Sequence, residues 1–171
     1  MSMPSSAAMR NGPPGEWVLL AYRVPREPST PRIAIWRKLK RLGAAQVGDG
    51  LVALPADART REQLDWLAEE VLEAGGSATM WLARPATVGA ERELAVGMTA
   101  ARVAEYTKVL AEARAGGRLE PLARTVLLRR LRGELHRIGR RDYFPPPERA
   151  AAQAAVAALA PVAPAERREL A

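Results

Sequence analysis

Trp17-Val18-Leu19-Leu20-Ala21-Tyr22 is apolar at odd and even positions alike, and the run breaks at Arg23-Val24-Pro25. Successive side chains of a β-strand point to opposite faces, so a run apolar on both alternations suits a central strand covered on both sides. Any fold for this chain must therefore place material above and below Trp17–Tyr22. The next segment supplies the first cover. Pro25 and Pro28 end the strand, and Ser29 or Thr30 can cap a helix that has Pro31 at its first position. The helix runs to Leu42 with Ile35, Leu39 and Leu42 on one face, and Gly43 is its expected C-cap.

Two short apolar runs come next, Ala44–Val47 and Leu51–Leu54, joined by Gly48-Asp49-Gly50. Asp-Gly between such runs is a hairpin signal. Thr60–Ala74 carries Leu64, Leu67, Ala68, Val71 and Leu72 at helical spacing, Gly75-Gly76 stops it, and Ser77–Ala83 reads as a further strand. The order is β-α-β-β-α-β, a ferredoxin-like arrangement with both helices on one face of the sheet. The predicted class is α+β: a ferredoxin-like βαββαβ sheet with a helical C-terminal extension. Helices are expected at about 90–115, 119–138 and 148–160, with Tyr143-Phe144 as an anchor before the rigid Pro145-Pro146-Pro147. The expected organisation is a disordered tail at 1–15, a ferredoxin-like domain at 16–85, a helical extension at 86–160 packed on it, and a tail at 161–171. The sheet face away from the first two helices is expected to be covered by residues after Pro85.

The chain has 171 residues, no cysteine, one histidine and a formal charge of +7. Without cysteine there is no thiolate zinc site, redox pair or thiol nucleophile. His136 alone cannot build a histidine metal site, and neither a phosphate-binding glycine loop nor a nucleophile–base set is present. No catalytic residue, cofactor or metal is expected, and the chain reads as no enzyme. Neither a signal peptide nor a membrane span is visible, so the expected location is the cytoplasm.

The charge is segregated. Ser29–Leu42 carries Arg32, Arg37, Lys38, Lys40 and Arg41 and no acid, while Thr60–Ala74 carries Glu62, Asp65, Glu69, Glu70 and Glu73 against Arg61. Arg118–Arg141 holds eight arginines against Glu120 and Glu134, and Arg129, Arg130, Arg132 and Arg137 are expected to lie outward there. These nine cations are the candidate nucleic-acid contacts, because Lys and Arg neutralise phosphates without reading bases. An equally physical use of the first set is to pair with the acidic helix beside it. Trp17, Trp36, Trp66 and Trp81 are read as packing residues.

The words WVLLAYRVPREPS, WRKLKRLGA and ALP, with Arg141-Asp142-Tyr143-Phe144-Pro145, resemble the N-terminal domain of the bacterial ChrB chromate-resistance regulators over about Glu16–Leu159. That family is similar to the PaaX-type regulators. Both are similar to the ferredoxin-like CRISPR adaptation nucleases, in which a strand ends Ala-Tyr-Asp. Here Arg23 follows Ala21-Tyr22, so the metal-binding carboxylate of those nucleases has no counterpart at that position. The resemblance implies a chromate-responsive regulator acting at the promoter of a chromate-efflux operon. It also implies a further C-terminal domain of similar size, which this sequence lacks, so chromate sensing stays open. The winged-helix segment of PaaX-type proteins is lacking too. The expected function is a transcriptional regulator binding DNA through its basic helices. The alternative is a dimerisation or adaptor module, with a second copy or another protein as partner. A third reading, an oxyanion sensor, has arginines but no convergent set.

Overall fold

The computed structural model describes residues 15–161, and the predicted tails fall almost wholly outside them. The elements are β1 (Trp17–Arg23), α1 (Ser29–Leu42), β2 (Ala45–Gly48), β3 (Leu51–Pro55), α2 (Ala58–Glu73), β4 (Ser77–Ala83), α3 (Val88–Gly116), α4 (Pro121–Gly139) and α5 (Pro147–Ala157). The four strands form one antiparallel sheet in the order β2-β3-β1-β4, which is the ferredoxin-like topology expected from the sequence. The twofold apolar run is indeed central: Leu20 lies between Val52 of β3 and Met80 of β4.

Two compact units divide the chain. Among the described residues, one holds those up to Arg102 together with Arg140–Pro146, and the other holds Val103–Gly139 and those from Pro147. The core of the sheet unit gathers Val18, Leu20, Val52 and Leu54 with Ile35 and Leu39 of α1 and Leu64, Leu67 and Val71 of α2. The second unit has its own core of Tyr106, Val109, Leu128, Leu131, Ile138, Ala152 and Val156. There α3 (from Val103), α4 and α5 each bury one apolar face.

The other sheet face is covered at one end. Trp17 is 1% exposed. Its ring stacks on Phe144 at 6.1 Å between centroids, and its indole N–H donates to Glu91 Oε1 at 3.2 Å. Leu94 and Met98 of α3 join the same cluster. Trp81, opposite Leu19 in the register, stays 59% exposed, so the cover predicted from residues after Pro85 reaches Trp17 but leaves Trp81 open. Of the four tryptophans read as packing residues, only Trp17 is buried; Trp36 and Trp66 are 53% and 60% exposed.

Two helix starts differ from expectation. Pro28 occupies the N-cap of α1 with no side-chain cap bond, and Pro31 falls at the third helical residue rather than the first. α2 begins at Ala58, two residues early, because Asp57 caps it: Thr60 N–H donates to Asp57 Oδ1 at 2.7 Å, and Asp57 N–H donates to Thr60 Oγ1 at 3.0 Å. The C-terminus of α1 follows the sequence signal. Gly43 sits at φ 71°, where its N–H donates to Lys40 O at 3.2 Å.

Candidate nucleic-acid interface

A helix advances by about 100° per residue, so the core residues Ile35 and Leu39 fix where every other side chain of α1 points. Arg37 and Arg41, one turn apart, take the outer side. Lys38 takes the flank toward α2, and Arg32, Trp36 and Lys40 form an i, i+4, i+8 stripe on the opposite flank. Arg32, Arg37, Lys40 and Arg41 are exposed.

The flanks have different partners. Lys38 Nζ lies 2.5 Å from both carboxylate oxygens of Glu70. Pairing between the basic and acidic helices is therefore real within one chain and is confined to this cation of α1. Lys40 Nζ sits over the Trp36 ring at 5.4 Å. Arg32, Arg37 and Arg41 make no ion pair or side-chain hydrogen bond among the described residues. α1 has no acid in its first turn and ends on Lys40 and Arg41, so its outer surface presents uncompensated positive charge.

The second candidate set lies on α4, in the other unit. Arg130 bonds to Glu112 of α3 and stands 3.9 Å from Glu134; Arg137 stands 3.9 Å from the same Glu134. The hydrogen bond to Arg130 holds the Glu112 carboxyl below its usual range, and Glu112 raises the guanidinium in return. Arg129 and Arg132 are exposed without such partners among the described residues. The nine candidates thus divide between two units: acids compensate one of the five on α1 and two of the four on α4.

A cleft of about 860 Å³ opens beside the Arg32–Trp36 flank, lined by Tyr22, Arg23, Val24, Arg32, Ile33, Trp36, Gln46, Asp49 and Gly50. Its floor is fixed where the hairpin meets the end of β1. Tyr22 N–H donates to Gly50 O at 2.7 Å, and Gly50 holds φ 69°. A Cβ on Gly50 would collide with Tyr22 O, so only glycine fits this turn. Burial raises the Tyr22 phenol above its ordinary value, which keeps it neutral. Sequence reasoning missed this cleft. Asp49-Gly50 signalled the turn, but nothing in the pattern said that the turn would return to Arg23. Among the described residues no group of three His, Asp or Glu side chains could hold a metal ion, and no helix is long and apolar enough to cross a membrane.

Residues 32–116 match the family model described as Protein ChrB, N-terminal. The chain is 28% identical over 149 residues to Protein ChrB of Cupriavidus metallidurans, an alignment covering 81% of this chain and 43% of that protein. The chain therefore spans less than half the length of this relative. No solved structure matches.

Proposed function

The chain carries a ChrB N-terminal domain, and from that premise we propose that it is a regulatory protein of chromate resistance that binds DNA through the outer face of α1. The observation carrying this reading is that Arg37 and Arg41 lie on one exposed side without an acidic partner among the described residues, while the one cation facing α2 is already taken by Glu70. Such a surface suits phosphates: affinity without base reading, and strongly salt-dependent. The role is regulatory rather than catalytic, because the end of β1 offers Arg23 where the similar nucleases carry a carboxylate. Incubation with DNA or RNA in magnesium or manganese is expected to leave both intact; chelator-sensitive cleavage would overturn that part.

The test is fluorescence polarisation with DNA from upstream of the protein's own gene, titrated over a range of salt. Arg37→Glu with Arg41→Glu is expected to weaken binding and to lower the log–log salt slope by about two, one for each phosphate contact. Affinity unchanged across the salt range would sink the reading.

The second reading, a dimerisation or adaptor module, draws on the open sheet face, where Trp81 is 59% exposed and Val47 45%. It predicts that Trp81→Lys changes the oligomeric state in sizing chromatography and leaves DNA affinity alone.

A further inference from the structure

We propose that the cleft between the end of β1, the start of α1 and the β2–β3 turn binds a nucleoside phosphate, with the base against Trp36 and the phosphate between Arg23 and Arg32. Its volume of about 860 Å³ falls within the range of small-molecule sites. Three features of its lining point to this chemistry together.

The first is charge. Arg23 and Arg32 both line the cleft, and neither forms an ion pair or side-chain hydrogen bond among the described residues. Asp49 lines it too and pairs with neither arginine. Guanidinium forks left free on the two walls of a hollow suit a bidentate oxyanion such as phosphate.

The second is the aromatic wall. Trp36 is 53% exposed. Its indole belongs to neither core and lines the cleft. Lys40 Nζ lies over that ring at 5.4 Å from its centroid, so the stripe Arg32–Trp36–Lys40 offers a cation, a plane and a cation in succession. Tyr22 adds a second, half-buried ring. Nucleobases stack on such rings whatever their identity.

The third is the acceptor. A bare oxyanion gains nothing from a carboxylate beside it, whereas ribose hydroxyls and exocyclic amino groups are donors that Asp49 can accept. The Gln46 side chain donates to Gly48 O at 2.6 Å, which leaves its amide oxygen as a further acceptor. The lining thus separates a nucleoside phosphate from a simple tetrahedral anion. The cleft lies on a different side of α1 from Arg37, so the inference stands independently of the DNA reading.

The experiment is isothermal titration calorimetry of the 171-residue chain against adenosine 5′-monophosphate, guanosine 5′-monophosphate, adenosine, inorganic phosphate and a 5′-phosphorylated single-stranded oligonucleotide. A mononucleotide is expected to bind at least about tenfold more tightly than adenosine or phosphate. Trp36→Ala is expected to weaken it by about tenfold or more, and Arg23→Ala likewise, while Trp36→Phe retains it and Arg37→Ala has no effect. All these side chains are exposed or half-buried, and far-UV circular dichroism would verify each fold; Trp36→Phe keeps the stacking face should Trp36→Ala unfold. Binding of the oligonucleotide without the mononucleotide would identify a strand end as the source, and the reverse a free nucleotide. Absence of heat with every nucleotide and oligonucleotide, or phosphate binding equally well and surviving Trp36→Ala, would overturn the proposal. Loss of DNA affinity in Arg37→Glu with Arg41→Glu bears only on the DNA reading.

Discussion

Tyr143 ties a segment far along the chain to the end of α1. Its hydroxyl donates to Leu42 O at 3.0 Å, and the Arg59 guanidinium lies 5.7 Å from its ring centroid. Burial raises its pKa first; Arg59 opposes this, Asp57 adds to it and Arg102 opposes it. A phenol whose folded pKa exceeds its unfolded value of about 10 contributes stability that is complete below that pH and is lost as pH rises through the folded value. Stability should therefore fall above about pH 10, as the unfolded chain ionises first. Tyr143→Phe is expected to cost about 1 kcal/mol at neutral pH through the lost hydrogen bond. It should also flatten the alkaline loss, leaving the residual slope of Tyr22, whose pKa is raised too. Urea melts of both proteins from neutral to alkaline pH would check this, and an unaltered alkaline slope would contradict it.

At the scale of elements, α2 shows what a cap does. Asp57 and Thr60 satisfy one another's backbone N–H, and Thr60, fully buried, donates its hydroxyl to Pro55 O at 2.7 Å. Asp57→Ala is expected to cost about 1 kcal/mol of stability, measured by thermal denaturation, while DNA affinity stays unchanged. The same element shows where sequence reading stops. Its apolar stripe and the stop at Gly75-Gly76 are plain, yet the pattern puts the start at Thr60, because Asp57-Ala58-Arg59-Thr60 has Thr where a capping box usually has Glu or Gln. The strands and α1 were legible for a reason: each is bounded by a residue with one conformational use, Asp49-Gly50 for the turn and Gly43 for the left-handed cap. The exposure of Trp36, Trp66 and Trp81 was not legible, since composition marks a tryptophan as a packing residue and only the tertiary arrangement decides. For the candidate interface, the sequence supplied the cations but not which of them acids compensate. Lys38 meets Glu70 only once α1 and α2 lie side by side, and Arg130 meets Glu112 only once α3 and α4 do. The cleft was out of reach because Arg23, Arg32 and Asp49 come from three parts of the fold.

At the scale of the molecule there are two cores with no residue in common. Leu20 and Leu131 are each fully buried, one in each core. Truncating either to Ala is expected to cost roughly 2–5 kcal/mol, and the double variant close to the sum, because the two sites share no packing partner; denaturant titration would expose any coupling. Charge divides between the units as well. Positive charge is concentrated in α1 and α4, but its uncompensated share is not equal. Around α4, Glu112 of α3 bonds to Arg130, and Glu134 stands 3.9 Å from Arg130 and from Arg137, so acids lower the summed charge of that helix. On α1 there is no acid, and the Glu70 carboxylate of α2 pairs with Lys38. Phosphate attraction depends on the summed local charge, not on the count of arginines. Reversing Arg37 and Arg41 to Glu is therefore expected to lower the salt slope of DNA binding by about two, and reversing Arg129 and Arg132 by less than about one. Glu112 and Glu134 lower the summed charge around α4, whereas α1 carries no acid of its own. Equal losses from the two double variants would show that α4 contributes as much as α1, and a larger loss from α4 would move the interface to the second unit.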